Sequence, residues 1–216
     1  MKEIGARTRR TKTETFYDRI ADVHNVALKI NGYRSSVAKF FRQLDLDLDE
    51  NSMVLDAGSG TGIVTLGFLD SGLKFGTTIA YDLSRKSLKV AAEEIRKDKR
   101  NGRAKVTAIQ GNILALPFAD ESFDLVITCG VLEYVPLEQG LKELSRVLSK
   151  SGRLVLIPVK PSLVGSVLEF FYKFKIHPIE NVRKTSQKYF KIVGDHSFPL
   201  NEPISWSKTV FLLEKK

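Results

Sequence analysis

The hydrophobic positions between residues 53 and 159 form short apolar runs separated by longer stretches in which apolar residues recur at helical spacing. The apolar runs predict five strands, at residues 53–56, 77–81, 105–110, 123–128 and 153–159. The stretches between them predict helices over residues 63–69, from an N-cap at Ser84 to before Gly102, and from Pro136 onward. Strands that alternate with helices favour right-handed crossovers and a parallel sheet with helices on both faces. The predicted fold is therefore doubly wound α/β.

The two ends of the chain depart from this rhythm. Residues 1–12 are polar and basic and predict a mobile arm, and two helices separated at Asn31-Gly32 are predicted between Glu14 and Leu44. Residues 161–178 predict an amphipathic helix, and strands follow at 189–193 and 209–213. These strands are too close together for a crossover helix, so they are expected to close the sheet as an antiparallel pair. We therefore expect a basic arm with capping helices over residues 1–45 and a domain over residues 46–216 with a lid-like insertion at about 161–186.

Composition and charge narrow the class of protein. No apolar run approaches the roughly 20 residues that cross a bilayer, and the first residues do not form a secretory signal, so a cytoplasmic location is expected. One cysteine, Cys129, excludes an internal disulfide, and three scattered histidines do not support a metal site. The net charge of +9 lies at the ends, with ten basic against five acidic residues over 1–45 and twelve against five over 150–216, whereas residues 46–149 have twelve against fifteen. The ends could contact RNA, anionic lipid or an acidic substrate, or could be ordinary solvated surface.

Residues 54–63 are the most specific functional signal, because a buried strand leads into the sequence Asp-Ala-Gly-Ser-Gly-Thr-Gly at residues 56–62. Glycines let the backbone reverse sharply and approach a ligand closely. The dinucleotide fingerprint needs a glycine where this chain has Ile63, and no register supplies the Lys-Ser/Thr pair of a phosphate-binding loop. Ligands of doubly wound sheets bind beyond the carboxyl ends of the strands. The residues that follow Asp56, Tyr81, Gln110 and Thr128 are therefore the candidate site.

Four motifs within residues 51–159 together resemble the class I S-adenosylmethionine-dependent methyltransferases, and most closely the small-molecule enzymes of ubiquinone and menaquinone biosynthesis. These motifs are residues 54–62, Asp82 at the end of strand two, Gly111-Asn112-Ile113 with Leu116-Pro117-Phe118, and residues 122–126 with residues 144–152. The resemblance implies a Rossmann-like methyltransferase fold with seven strands, mostly parallel and with the last antiparallel. It also implies an enzyme that binds S-adenosyl-L-methionine and releases S-adenosyl-L-homocysteine.

The resemblance also implies roles for individual residues. Asp82 would hold the ribose hydroxyls, and the glycine turn would approach the amino-acid portion of the cofactor, whose ammonium group would find acceptors at Gly58 or Asp56. Asn112, in place of the family's usual Asp, would border the adenine with Ile113. Asp56 has a structural alternative, which is to hold the turn, and Cys129 has one as a small buried residue. The expected cofactor-binding residues are Asp56, Gly58, Ser59, Gly60, Gly62, Asp82, Leu83, Asn112, Ile113 and Cys129.

Methyl transfer by in-line displacement depends mainly on alignment and on exclusion of water, so a base is needed only if the acceptor must lose a proton. The catalytic residues stay unassigned. Glu133 and Tyr134, beyond strand four, and Tyr17, in the N-terminal segment, are weak candidates. Glu133 has an alternative role as a carboxylate that stabilises a helix N-terminus.

The segment Cys129-Gly130-Val131-Leu132 narrows the class of methyl acceptor. It stands where enzymes that methylate amino groups of bases or glutamine have an [ND]-P-P-[FY] motif. Thr128 before the cysteine likewise differs from the Pro-Cys setting of cytosine-C5 enzymes. The expected acceptor is a small aromatic or lipophilic molecule enclosed by the N-terminal helices and the Phe-rich insertion. Lys173 and Lys175 in that insertion suggest a peripheral contact with a membrane surface. Two alternatives stay open: an RNA or protein methyltransferase that docks through its basic ends, and a non-catalytic cofactor-binding relative.

Overall fold

The computed structural model of the protein describes residues 32–98 and 105–216, and these residues form one sheet of seven strands. The strands are β1 (Met53–Ala57), β2 (Thr77–Asp82), β3 (Lys105–Gln110), β4 (Phe123–Cys129), β5 (Leu148–Ile157), β6 (Phe190–His196) and β7 (Val210–Lys215). Their order is β3-β2-β1-β4-β5-β7-β6. Strands β1 to β5 pair in parallel, and β7 is antiparallel to both β5 and β6. The predicted mostly parallel sheet with an antiparallel last strand is confirmed.

Helices cover both faces of this sheet. The described helices are α1 (Tyr33–Gln43), α2 (Ile63–Leu69), α3 (Arg85–Lys97), α4 (Leu137–Val147), α5 (Leu163–Tyr172) and α6 (Ile179–Ser186). Neighbouring strand residues point to opposite faces, so Val54 packs with α1 and α2 whereas Leu55 packs with α4 and α6. The predicted N-cap of α3 is confirmed, because the side chain of Ser84 accepts a hydrogen bond of 3.1 Å from the backbone N–H of Ser87.

Strand β5 differs from its predicted bounds of 153–159, because it begins at Leu148, directly after α4, and ends at Ile157. Gly152, which was expected to mark the turn into this strand, lies inside it. The pairing of β4 with β5 shifts register between Phe123 and Leu125, which is the kind of irregularity that glycine within a strand accommodates. Beyond β5, Val159 forms a separate antiparallel bridge with Lys208. This bridge places the residues before β7 beside the carboxyl end of β5.

Helix α6 was not predicted as a helix and was counted with the lid-like insertion. Its residue Val182 is 2% exposed and belongs to the same apolar cluster as α4. The second half of the expected insertion is therefore part of the core, and only the part that includes α5 is placed to cover a site.

The second predicted capping helix is present as α1, which packs on α2 and is fixed by ion pairs from Arg34 to Asp70, with Nε–Oδ2 at 2.7 Å, and to Asp98. The expected arm and first helix, with Tyr17, lie outside the described residues. Within the described part of the chain, no helix has the length and apolar character needed to cross a membrane.

Gly67 marks the closest approach of α1 and α2. A Cβ atom at this position would lie 2.6 Å from Cγ1 of Val37 and 2.9 Å from the carbonyl oxygen of Arg34. We expect Gly67→Ala to lower the free energy of unfolding, because overpacking a core costs about 1–3 kcal/mol whereas Ala gains at most about 1 kcal/mol over Gly within a helix. Urea unfolding followed by circular dichroism measures the difference.

The double variant Gly67→Ala/Val37→Ala tests the cause of this loss. Val37→Ala removes the closest contact of the new Cβ, the one with Cγ1 at 2.6 Å, although the Cβ of residue 37 stays 2.7 Å away. The two substitutions together are therefore expected to cost somewhat less than the sum of their separate costs. Strictly additive costs would show that the contact between Gly67 and Val37 is not the source of the instability.

Candidate functional site

A cavity of about 270 Å³ opens at the carboxyl edge of the parallel strands. One part of its wall follows β1, β2 and β3 and includes Gly58, Ser59, Gly60, Thr61, Asp82, Leu83, Asn112 and Ile113. The other part comes from α1, the ends of β4 and β5, the segment around α5, and the start of β7, and includes Tyr33, Cys129, Gly130, Tyr134, Val159, Leu168, Phe174, Ser207 and Lys208. We call these the nucleoside half and the acceptor half. The cavity thus lies at the edge that the strand order predicts for ligands.

The glycine turn after β1 is tied to the end of β2. The backbone N–H groups of Gly58 and Ser59 both donate to the carbonyl oxygen of Tyr81, at 2.7 and 3.0 Å. Gly60 has a φ of 54°, and a Cβ built there would meet no protein atom within 4 Å, so the backbone at Gly60 borders open space. A Cβ at Gly62 would instead lie 2.9 Å from that of Ala91, and Gly62 is absent from the cavity wall. Of these glycines, Gly60 is the one that leaves space for a ligand.

Asp82 is held at the cavity wall by two backbone N–H groups. Its Oδ2 accepts from Gly60 and its Oδ1 accepts from Ser84, each at 2.8 Å. The carboxylate therefore has a fixed orientation, and it links the turn after β1 to the start of α3.

The loop after β3 forms the far wall of the nucleoside half. Ile113 is buried on this wall, whereas Asn112 is exposed and its Oδ1 accepts the N–H of Leu114 at 3.0 Å. The side-chain oxygen of Asn112, which is expected to border the adenine, is thus used within its own turn. Leu83 is present opposite this loop, and its carbonyl oxygen accepts a hydrogen bond of 3.0 Å from the side chain of Gln110.

Helix α4 fixes this loop from the outside. Arg146 donates to the carbonyl oxygens of Leu116 and Phe118 at 3.0 and 2.8 Å, and the carboxylate of Glu143 accepts the N–H of Leu116 at 2.8 Å. Arg146 beside it holds the pKa of Glu143 below its usual range. The motif at residues 116–118 therefore contacts the motif at residues 144–152 through Arg146, and this contact positions the loop after β3.

Asp56 lies behind the glycine turn and not on the cavity wall. It is 1% exposed, and its Oδ2 accepts a hydrogen bond of 2.5 Å from the hydroxyl of Thr65. Burial raises the pKa of Asp56 to about 7, and the nearby charge of Asp82 adds to this effect while the Thr65 hydrogen bond opposes it. The structure supports the alternative in which Asp56 holds the turn.

The candidate catalytic residues beyond β4 separate into two environments. Tyr134 lines the cavity and packs edge-to-face on Phe174, with ring centroids 5.2 Å apart. Glu133 is buried and does not line the cavity, because its Oε1 accepts the backbone N–H of Val159 at 2.6 Å. The carbonyl oxygen of Glu133 also accepts the N–H of Lys175, which ties the segment after α5 to this turn. Glu133 thus shapes the acceptor half from behind its wall.

Tyr33 and Cys129 lie together in the acceptor half, with the tyrosine hydroxyl 3.5 Å from the cysteine sulfur. Burial raises the pKa of the Tyr33 hydroxyl well above its usual value. Burial also raises the pKa of the Cys129 thiol, although the charge of Lys208 opposes this. Both groups are therefore protonated at neutral pH, and neither is suited to act as a nucleophile or a base.

Of the residues of the acceptor half, only Cys129 and Tyr134 were predicted individually from the sequence, and Tyr33, Ser207 and Lys208 are among those that were not. Lys208 is 8% exposed although it carries a charge. Ser207 and Lys208 precede β7, and an antiparallel strand starts at the edge where its parallel neighbours end. The antiparallel last strand was itself predicted, so its first residues could have been placed at the site from the sequence.

Comparisons with known proteins agree with this geometry. Residues 55–156 match a family described as a methyltransferase domain. A demethylmenaquinone methyltransferase from Shouchella clausii is 30% identical over 161 residues, which are 73% of this chain and 66% of that protein. A ubiquinone/menaquinone biosynthesis C-methyltransferase from Klebsiella pneumoniae is 28% identical over 76% of this chain and 68% of its own length. The chain spans 55 to 66% of the length of six curated relatives, one of which is the Shouchella protein.

Solved structures show the same fold. The geranyl diphosphate C-methyltransferase of Streptomyces coelicolor A3(2), solved with Mg²⁺, geranyl diphosphate and S-adenosyl-L-homocysteine, matches with a TM-score of 0.67. The match covers 84% of this chain and 77% of that one at 17% identity. At this identity the likeness concerns the fold alone.

The raised pKa of Asp56 makes stability depend on pH. The folded state releases this proton near pH 7 and the unfolded state near the ordinary value of 3.8, so the folded state binds more protons between these values. The free energy of unfolding is therefore expected to fall as the pH rises through this window. Asp56→Asn can still accept the Thr65 hydrogen bond and has no charge to bury, so it should gain stability relative to wild type from pH 5 to pH 8, by a few kcal/mol at most. Urea unfolding at each pH measures the gain, and a difference that does not change with pH would contradict it.

Proposed function

Because the chain belongs to the class I S-adenosylmethionine-dependent methyltransferases, we propose that it transfers the methyl group of S-adenosyl-L-methionine to a small-molecule acceptor. The observation that carries this proposal is one cavity whose nucleoside half offers a fixed carboxylate and a glycine turn, and whose acceptor half is lined largely by apolar side chains. A shared cavity brings donor and acceptor together without any further catalytic group, because alignment alone lowers the barrier to displacement.

The residues of the nucleoside half fit the cofactor. The Asp82 carboxylate suits the two hydroxyls of a ribose, because charge-assisted hydrogen bonds are stronger than neutral ones. Gly60 leaves room for a group that passes close to the backbone. Leu83 and Ile113 supply apolar walls for a base. When bound, the cofactor supplies an electrophilic methyl group on a positively charged sulfur and leaves as S-adenosyl-L-homocysteine.

The residues of the acceptor half enclose and orient the second substrate. Leu168 of α5 and Phe174 beyond it close the cavity from above, and Tyr134 supports Phe174 from the side of β4. This cover excludes water from the reacting atoms and limits the orientations of a bound molecule.

A lipophilic or aromatic acceptor fits this half best. Leu168, Phe174 and Val159 give it an apolar surface. The names of the relatives refer to demethylmenaquinone, ubiquinone and menaquinone, which supports a quinone-like acceptor for this chain. The apolar wall favours a small lipophilic acceptor over RNA or a protein side chain. The residues of the nucleoside half that fit the cofactor argue against a non-catalytic relative. A docking role for the basic ends stays a prediction, and salt-dependent RNA binding would favour it.

Asp82→Ala tests the proposal directly. We expect wild type to bind S-adenosyl-L-methionine and S-adenosyl-L-homocysteine in calorimetry and Asp82→Ala to lose at least about tenfold in affinity for both, because two ribose hydroxyls lose their charged acceptor.

Asp47→Ala is the matched control, because Asp47 is an exposed carboxylate before β1, at the opposite edge of the sheet, and its loss should leave affinity unchanged. Thermal unfolding of each variant separates a lost contact from a lost fold. Absence of binding by wild type would refute the proposed function.

The outer face of α5 supports a further part of the proposal, which is a peripheral contact with a membrane that holds a lipophilic acceptor. Leu163 is 90% exposed and Phe170 80% exposed, and Phe171 is also exposed. Lys173 and Lys175, both exposed, follow directly and provide the positive charge that an anionic lipid surface attracts.

Sedimentation with vesicles tests this contact. We expect wild type to co-sediment with vesicles that contain phosphatidylserine, and Phe170→Ser/Phe171→Ser to stay in the supernatant while its affinity for S-adenosyl-L-homocysteine is retained. Leu200→Ser, which removes an apolar side chain that is 85% exposed outside α5, is the control and should still sediment. Equal sedimentation of all three proteins would rule out α5 as the contact.

A further inference from the structure

Lys208 is a buried cation at the wall of the acceptor half. Among the described residues, Lys208 is one of few charged residues that are buried, with 8% of its surface exposed. It also lines the cavity. Removing an ammonium group from water is costly unless the group is paired, so a buried lysine normally has an anionic partner.

The protein holds Lys208 in this place through its backbone and through its neighbours. The residue bridges Val159 at the end of β5, and its N–H donates to the carbonyl oxygen of Ile204, which is buried in the core. A Cβ at Gly130 would lie 2.6 Å from the Lys208 Nζ, so the ammonium group occupies the space that a side chain at position 130 would need. Gly130 has a φ of 65°, which glycine adopts without strain. The absence of a side chain at position 130 therefore leaves room for the ammonium group of Lys208.

No carboxylate of residues 32–98 or 105–216 forms an ion pair with Lys208 within 4.0 Å. Glu133 accepts the backbone N–H of Val159 through Oε1, and its buried Oε2 has no hydrogen-bond partner among the described residues, yet its carboxylate lies beyond ion-pair distance of Lys208. Asp56 lies behind the glycine turn. The charge of Lys208 acts to lower the pKa of the Cys129 thiol, but burial raises it more, so this thiol is not an anionic partner. Within the described residues, Lys208 lines the cavity and has no ion-pair partner within 4.0 Å.

We propose that Lys208 binds an anionic oxygen of the methyl acceptor, and that the acceptor is a phenol or enol that reacts in its ionised form. This inference rests on the proposed function and names the substrate class of the same site. A single ammonium group is a point charge with three donors, which suits one oxyanion, whereas a phosphate is normally held by several donors together. The apolar wall around Lys208 suits the rest of an aromatic ring.

The charge of Lys208 removes the need for a base on the wall. A cation at hydrogen-bond distance in a poorly solvated site favours the ionised form of a hydroxyl, so the acceptor releases its proton to solvent on binding. An electron pair of the phenolate or enolate, on oxygen or on the conjugated carbon, then forms the bond to the methyl group, and the pair of the broken sulfur–carbon bond stays on sulfur. A carbon acceptor afterwards loses its ring proton to solvent. The negative charge of the acceptor and the positive charge of the sulfonium cancel.

The inference is tested with 4-nitrophenol, a phenol whose ionised form is observed by its own absorbance. The probe is titrated by pH in the presence of wild-type protein saturated with S-adenosyl-L-homocysteine. We expect the apparent pKa of the bound probe to fall by at least one unit, which is a preference of about tenfold or more for the phenolate. Lys208→Met should lose this preference and bind both forms alike, whereas Lys208→Arg, which keeps the charge, should retain part of it.

Two controls make the outcome decisive. Lys208→Met is expected to fold and to unfold at a temperature no lower than wild type, because it replaces an unpaired buried cation by an apolar side chain of similar length. Its affinity for S-adenosyl-L-homocysteine should equal that of wild type, since Lys208 belongs to the acceptor half. An unshifted pKa for the probe bound to wild type, an equal shift with Lys208→Met, or no binding of the probe overturns the role of Lys208. Absence of S-adenosyl-L-methionine binding would instead overturn the proposed function.

Discussion

The hydrogen bonds that join the ends of β1, β2 and β3 are the constraint on which the rest of the site depends. The carbonyl oxygen of Tyr81 accepts from two residues of the glycine turn, the carbonyl oxygen of Asp82 accepts from Gly111, and the Asp82 carboxylate accepts from Gly60. Each bond links one strand end to the next, so the three turns cannot move independently. A ligand that contacts all three therefore meets a wall formed by the folded sheet itself, which lowers the ordering cost of binding.

The three glycines of the turn serve different purposes, although their spacing alone suggests one. A Cβ at Gly58 would lie 2.1 Å from Cγ2 of Val131, and a Cβ at Gly62 would collide with Ala91, so these two glycines allow close packing of protein against protein. Only Gly60 borders open space. The motif as a whole thus specifies a turn that packs tightly on its neighbours and leaves one opening for a ligand.

The nucleoside half could be predicted residue by residue from the sequence, whereas most residues of the acceptor half could not, for a physical reason. The nucleoside half consists of short turns after parallel strands, and the alternation of strands and helices already places Asp82, Asn112 and Ile113 at the carboxyl edge of the sheet. The acceptor half is assembled from α1, α5 and the start of β7, whose positions depend on tertiary packing. Gly152 is a smaller case of the same limit, because its turn signal lies within the bounds of β5, at an irregularity where residues 149–152 fall between the β4-paired residues Leu148 and Arg153. Lys208 was not predicted either, although the antiparallel direction of β7 would have been enough to place it at the carboxyl edge.

Acidic and basic groups lie at different ends of the cavity. Asp56 and Asp82 are on the side of the nucleoside half, and Lys208 is in the acceptor half. Transfer of a methyl group from a sulfonium to an anion neutralises both charges, so the transition state carries less charge than the bound reactants. A cation that binds the acceptor anion therefore stabilises the reactants at least as much as the transition state. The benefit of Lys208 then lies in selecting acceptors that can ionise and in supplying their ionised form. Alignment and exclusion of water, through Leu168 and Phe174, must account for the acceleration of the step itself.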